Sequence, residues 1–258
     1  NIDFYDDLKL TRVADRIHHT KELEVMKKAD SFVTVSWNWA QDFKALYNRN
    51  IVVIPNGFDE DDFKSPKYEL DKEFTIVHIG SMNKDRNPKL FWEAIKDLIQ
   101  ETPELEYFIK VKLIGSVDVS VFDSIQRNGV DHLVIRIPHL QHSEVIEHTC
   151  KAQVLLLPLN NTPNVMGIIP GKLFEYLAAR RPIICLGPEN GDTSRLIAEY
   201  KAGFTCQYDE KEKLKAVIRK LFKDFSLGRL ESNKTEIEQF SRKKLAGEIA
   251  HHLNQIAH

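Results

Sequence analysis

From residue 74 onward, short apolar runs rich in β-branched residues alternate with stretches whose apolar positions recur every three or four residues. The first kind predicts strands over 75–80, 111–115, 133–137, 154–158, 182–186 and 204–207. The second predicts helices between them, over 88–101, 119–128, 143–151, 172–180 and 193–202. Strands with no polar alternation are buried on both faces. One helix between each successive pair therefore argues for an α/β domain built on a doubly wound, Rossmann-like parallel sheet of six strands. Two more helices close the chain. Over 210–225, Leu214, Val217, Ile218, Leu221, Phe222 and Phe225 form one stripe with lysines and arginines between them, the pattern of a packing helix with a solvated face rather than a membrane-surface helix. Over 241–257, Leu245, Ile249, Leu253 and Ile256 form another.

The first 50 residues read differently. A helical stretch leads into a β-rich run at 32–36, and a second helix follows with Trp39, Phe43, Leu46 and Tyr47 on one face. Such a piece is expected to have no sheet of its own and to be the tail end of a domain that begins elsewhere. Residues 51–55 predict a strand stopped by Pro55 and turned by Asn56-Gly57; an acidic run at 59–62 and a polar stretch to residue 72 then predict a linker. The expected division is 1–56 for the leading piece, 57–72 for the linker, 73–240 for the main domain and 241–258 for a terminal helix.

Composition narrows the picture without naming a chemistry. The 258 residues, 42% hydrophobic and 29% charged, suit one large or two small globular domains. A formal net charge of −2 gives no footprint for nucleic acid. Cys150, Cys185 and Cys206 lie in or beside apolar runs with no metal-type spacing, which reads as reduced core thiols in a reducing compartment. No apolar stretch exceeds strand length, so no transmembrane span is expected. The chain starts at Asn1 rather than Met, the expectation being a processed or cut chain. Asn160-Asn-Thr and Asn233-Lys-Thr fit the glycosylation pattern, but matches that short arise by chance.

The chemistry concentrates at 167–177, where a glycine-containing loop runs into a helix start after the strand at 154–158. Free amides and the helix dipole make such a junction an anion site. Lys172 adds a mobile positive charge for a departing phosphate, and Glu175, one turn on, can accept hydrogen bonds from a ribose diol. Both residues also fit ordinary first-turn charges of an amphipathic helix. In an open parallel sheet the ligand sits beyond the carboxyl ends of the strands, so the other strand-to-helix loops are candidates as well. One carries Gly80, Ser81, Lys84, Arg86 and Pro88: Gly80 permits close backbone approach, and Arg86 can grip a phosphate with two donors, with Lys84 as the alternative cation. Another carries His139 and His142, either of which also reads as a solvated loop histidine.

The run from Ile169 to Ala179 (Ile-Pro-Gly-Lys-Leu-Phe-Glu-Tyr-Leu-Ala-Ala), with Arg-Pro-Ile-Ile at 181–184, resembles the donor-site motif of the family 4 (group 1) glycosyltransferases of GT-B architecture. Val-Ile-Pro-Asn-Gly at 53–57 and Gly-Ser with Arg-Asn-Pro in 80–88 resemble the family's interdomain segment and first donor-domain loop. The likeness runs from about residue 20 to the end. It implies the C-terminal, donor-binding half of a GT-B enzyme with a remnant of the N-terminal, acceptor-binding domain, and a terminal helix that crosses back to that domain. The implied reaction transfers a hexosyl group from a nucleoside diphosphate sugar to a saccharide or lipid-linked acceptor, with retention, in bacterial surface polysaccharide synthesis. Arg86 and Lys172 would stabilise the leaving diphosphate in place of a divalent metal, so neither metal nor other cofactor is expected. Gly80, Ser81, Lys84, His139, His142 and Glu175 would complete the donor site, with the nucleobase near the histidines and the ribose on Glu175. A cytoplasmic protein is implied, at the membrane face if the missing domain associates with it. This sequence departs from the family at Gly167, where a glutamate eight positions before Glu175 usually meets the sugar. The backbone amides of Gly167, Ile168 and Ile169 are the expected substitutes. A GT-B nucleotide-sugar epimerase and a non-catalytic nucleotide- or saccharide-binding module are the competing readings.

Overall fold

The computed structural model of the protein describes residues 10–64, 68–230 and 236–257. Residues 1–9, part of the linker and the sequon at Asn233 lie outside them.

The leading piece has a sheet after all. Helix α1 (Arg12–Lys28) is followed by β1 (Phe32–Thr34), α2 (Trp37–Tyr47) and β2 (Ile51–Val53). β1 and β2 pair in parallel, Phe32 opposite Ile51 and Thr34 opposite Val53. The expectation failed because each strand is only three residues long and, seen singly, carries no sign of a partner. Helix α2 between them carries the chain back, the crossover that a parallel pairing requires. Ser36 begins α2 by accepting a hydrogen bond from the Trp39 amide, and Asn48, at φ 48°, ends it.

The main domain follows the alternation read from the sequence. Its elements are β3 (Phe74–Ile79), α3 (Lys89–Glu101), the short α4 (Glu104–Phe108), β4 (Ile109–Ile114), α5 (Val119–Asn128), β5 (Val134–Ile137), α6 (His142–Lys151) and β6 (Val154–Pro158). There follow α7 (Lys172–Ala179), β7 (Ile183–Leu186), α8 (Asp192–Glu199), β8 (Gly203–Cys206), α9 (Lys211–Ser226) and α10 (Arg242–Ile256). The six strands lie in the order β5-β4-β3-β6-β7-β8, all parallel. Every residue of β3, β6 and β7 is buried, as strands covered on both faces must be. One face packs on α3, α5 and α9 through Phe91, Trp92, Ile95, Ile125, Leu214 and Ile218; the other packs on α7 and α8 through Leu173, Phe174, Leu177, Leu196 and Ile197.

Chain order reverses between β3 and β6, so the loops leaving these neighbours diverge and open a crevice at their carboxyl ends. Nearby, the chain passes twice between the leading piece and the main domain. Phe58 donates its amide to Phe240 O at 3.1 Å, and Arg242 donates to Phe58 O at 2.9 Å, so the two passages run as a parallel bridge. Gly57 fits only as a glycine, since a Cβ there would lie 2.1 Å from Phe240 O. Helix α10 then reaches back to the leading piece, where His252 Nε2 and the Ser31 hydroxyl lie 2.6 Å apart. Among the described residues, no helix is long and apolar enough to cross a membrane.

Candidate functional site

β3 pairs with β6 through Ile76 and Val77, and the pairing stops there. Two strand positions later, the backbone of Ile79 faces the crevice, and helix α7 serves both of its polar groups. The Ile79 amide donates to the Tyr176 hydroxyl at 3.2 Å, while Lys172 Nζ donates to the Ile79 carbonyl at 2.5 Å. Residues 172 and 176 are four apart and so share one helix face, which is why a Lys-x-x-x-Tyr spacing can clasp both backbone polar groups of a single residue. The next residue, Gly80, has φ 96°, and a Cβ on it would lie 3.0 Å from Lys172 Nζ. Glycine here both permits the turn and leaves room for the ammonium.

A cleft of about 630 Å³ opens at this point, between Asn56, Gly80, Gly171, Lys172 and Glu175 on one side and Arg242 and Leu245 of α10 on the other. A hollow of about 680 Å³ lies near the far end of α7, against Arg180 and Arg181, away from the carboxyl edge of the sheet. The smaller cleft holds the chemistry. Helix α7 starts at Gly171 with no side-chain cap; the Leu173 and Phe174 amides donate to Pro170 O and Gly171 O at 2.9 and 3.2 Å, which leaves the amides of Gly171 and Lys172 to meet a ligand. Burial pushes the Lys172 pKa down to about 8, the neighbouring charge of Arg86 pushes the same way, and Glu175 opposes. Half-buried Glu175 is raised above the usual carboxylate range by burial, against the pull of His142 and Arg242. The result is a cation and a carboxylate, both poorly solvated, one helical turn apart.

The other expected residues fall in several places. Arg86 stands beside the cleft, donating Nε to Asn160 Oδ1 and one terminal nitrogen to Ser81 O, both at 2.9 Å. It lines a neighbouring hollow of about 310 Å³ together with exposed Lys84. Ser81 is exposed and contributes its carbonyl to Arg86. His142 reaches the linker, Nε2 standing 2.7 Å from Asp62 Oδ2. His139 is exposed on the loop after edge strand β5, outside the cleft. The Gly167 and Ile168 amides correct the expectation placed on them. They donate to Asn164 O and Val165 O, at 3.3 and 3.1 Å, because residues 165–167 form a 3-10 turn that consumes these donors. Ile169 is buried.

Sequence reading passed over two residues of the site. Tyr176 was not singled out, although its four-residue distance from Lys172 was the available signal. His78 is wholly buried in β3 with Nδ1 3.1 Å from Leu156 O. A carbonyl can only accept, so Nδ1 carries the proton; burial and then the Lys172 charge push the pKa down to about 3, which keeps the ring neutral. Among the described residues, no group of three or more His, Cys, Asp or Glu side chains is placed to hold a metal ion.

Residues 73–224 match the model of a family described as "Glycosyl transferases group 1". Solved structures share the fold at low identity. A point mutant of S. aureus TarM, in complex with fondaparinux, alpha-GlcNAc-glycerol and UDP, is 14% identical with a TM-score of 0.69, over 90% of this chain and 45% of that one. Anabaena HepE, in complex with UDP-glucose, is 15% identical with a TM-score of 0.72, over 90% and 65%. Sucrose-phosphate synthase from Thermosynechococcus elongatus is 14% identical with a TM-score of 0.70, over 91% and 60%. The chain spans about half the length of TarM and of the pneumococcal O-GlcNAc transferase GtfA. No curated protein matches it.

Proposed function

This chain belongs to the group 1 glycosyltransferases, and we propose on that premise that it is the donor-binding half of an enzyme transferring a hexosyl group from a nucleoside diphosphate sugar. The acceptor is a saccharide or a lipid-linked molecule, the reaction retains configuration, and the product is a surface polysaccharide made in the cytoplasm, at the membrane face if the acceptor domain associates with it. The observation that carries the reading is the cleft at the strand-order reversal, where the Lys172 side chain, the backbone amides of Gly171 and Lys172 at the start of α7, and Glu175 converge.

In this reading the diphosphate lies over Gly80 and the start of α7. The Lys172 ammonium moves from the Ile79 carbonyl onto a phosphate oxygen and neutralises charge as the sugar leaves. Arg86 adds positive potential from alongside and can turn from Asn160 to a second oxygen, so the chain's own cations do the work of a divalent ion. Glu175 accepts from the ribose diol, and Arg242 across the cleft offsets part of the burial penalty on its carboxylate. Removing either cation costs about 2–4 kcal/mol of transition-state stabilisation, roughly a hundredfold in turnover of the full-length enzyme. The usual feature favouring a non-catalytic module is glycine at 167, but here Trp39 fills the space beside it, so packing accounts for that residue.

The test is a thermal-shift panel on this chain with UDP, GDP, ADP, CMP and dTDP, repeated with Lys172→Ala. A nucleotide at 100 times its Kd stabilises the fold by about 2.7 kcal/mol. A shift selective for one base and abolished by the substitution supports the reading. Silence with every nucleotide, in this chain and in the full-length protein, ends it.

A further inference from the structure

Gly167 is a glycine for lack of space. A Cβ on it would lie 2.2 Å from Trp39 Cδ1, 2.3 Å from the indole nitrogen and 2.6 Å from the Ser36 hydroxyl. The loop that carries Gly167 joins β6 to α7, so its path decides where Lys172 stands. Three of its alternate carbonyls are taken from outside: Trp39 Nε1 donates to Asn164 O at 3.4 Å, Asn38 Nδ2 to Met166 O at 3.3 Å, and the Thr193 hydroxyl to Ile168 O at 2.6 Å. Two of the three donors come from the first turn of α2, in the leading piece.

That turn is itself fixed. Asp192, wholly buried at the start of α8, accepts from the Ser36 hydroxyl at 2.8 Å, the Asn38 amide at 3.0 Å and Asn38 Nδ2 at 2.8 Å. Arg195 pairs with the same carboxylate at 2.9 Å and lies over the Trp37 ring, 4.8 Å from its centroid. A buried carboxylate with both oxygens engaged is costly to disengage, so the turn keeps one orientation against α8.

We propose that Asn38 and Trp39 are positioning residues for the donor cleft, holding the 164–168 loop by its carbonyls and against Gly167 so that Gly171 and Lys172 are presented at the end of β3. The indole does from outside the loop what a side chain on residue 167 cannot do from within it. The effect on binding rests on the donor reading; the clamp itself does not.

The experiment is amide hydrogen exchange on the whole chain for the wild type, Trp39→Ala, Asn38→Ala and Trp39→Phe, together with titration by whichever of UDP, GDP, ADP or dTDP shifts the wild type. In Trp39→Ala, exchange over 165–173 should rise about tenfold while β4 stays as protected as before, and the nucleotide Kd should rise about tenfold. Asn38→Ala should move both in the same direction. Trp39→Phe, which keeps a ring against Gly167, should recover most of both. Unchanged exchange over 165–173, or a uniform rise across the sheet, overturns the clamp whether or not a nucleotide binds. Local loosening with an unchanged Kd overturns the positioning role. Local loosening in a chain that binds no nucleotide, with the full-length protein silent as well, upholds the clamp and removes the donor reading.

Discussion

Replacing Lys172 with methionine keeps most of the side chain's length and removes its charge. In the folded protein this lysine releases its proton near pH 8, whereas an unfolded lysine does so near 10.5. Between those values the unfolded chain binds more protons, so Lys172 makes stability rise with pH across that window, and below it the protein bears the full cost of a buried ammonium. That cost is about 3 kcal/mol. Methionine also leaves the Ile79 carbonyl without its donor, a loss of about 1 kcal/mol. The variant is therefore expected to be about 2 kcal/mol more stable at pH 7, a rise of about 4–8 °C in Tm for a chain of this length. At the same time it should lose the stabilisation a nucleoside diphosphate gives the wild type. Urea denaturation at pH 7 and at pH 10 measures the first effect, and thermal shift with nucleotide the second. The quantity to compare is the difference between the proteins, because Lys151 and Lys211, raised by Glu147 and Asp97, give contributions of opposite slope to both. A variant less stable than wild type at pH 7, with the same pH slope, would refute the assignment of a strained, functional charge at 172.

Three other outcomes follow from particular contacts. Gly167→Ala should destabilise the chain by about 2–3 kcal/mol, and much of that should vanish in a Trp39→Ala background, a coupling that a double-mutant cycle of urea midpoints would measure. Glu175→Gln should weaken nucleotide binding and erase any preference for ribose over 2′-deoxyribose. In the wild type that preference should fade with acidification at a higher pH than for an ordinary carboxylate, since burial raises the Glu175 pKa; calorimetric titration of paired nucleotides reads both. Gly57→Ala, which drives a methyl group into the Phe240 carbonyl, should cost about 3 kcal/mol in a thermal or urea melt.

The six strands and their helices were legible because burial on both faces and helical periodicity are local patterns that survive without tertiary knowledge. The pairing of Phe32–Thr34 with Ile51–Val53 was not, since short strands seen singly carry no sign of a partner. Short α4 escaped too, its five residues holding little more than one turn of periodicity. At the site, Lys172 and Glu175 stood out because a loop, a helix start and a charge pair lie within nine residues. The bond from Lys172 to Ile79 is a contact across 93 positions of chain, and the steric origin of Gly167 lies with a tryptophan 128 positions away. Nothing periodic connects such residues. The expectation that the Gly167 and Ile168 amides would face a ligand failed for a related reason, because a 3-10 turn over Val165–Gly167 leaves no trace in the hydrophobic pattern.

The paired passages at Phe58 and Ser241 have a mechanical consequence. Two separate strands of chain between the leading piece and the main domain would each twist freely, and two bodies so joined could roll about many axes. Here the passages are laced by hydrogen bonds from Phe58 to Phe240 and from Arg242 back to Phe58. They act as one flat strap, stiff against shear and yielding chiefly to bending across its width. Any swing of the leading piece would therefore carry α10, rooted at that strap and lining the cleft with Leu245, along the same arc.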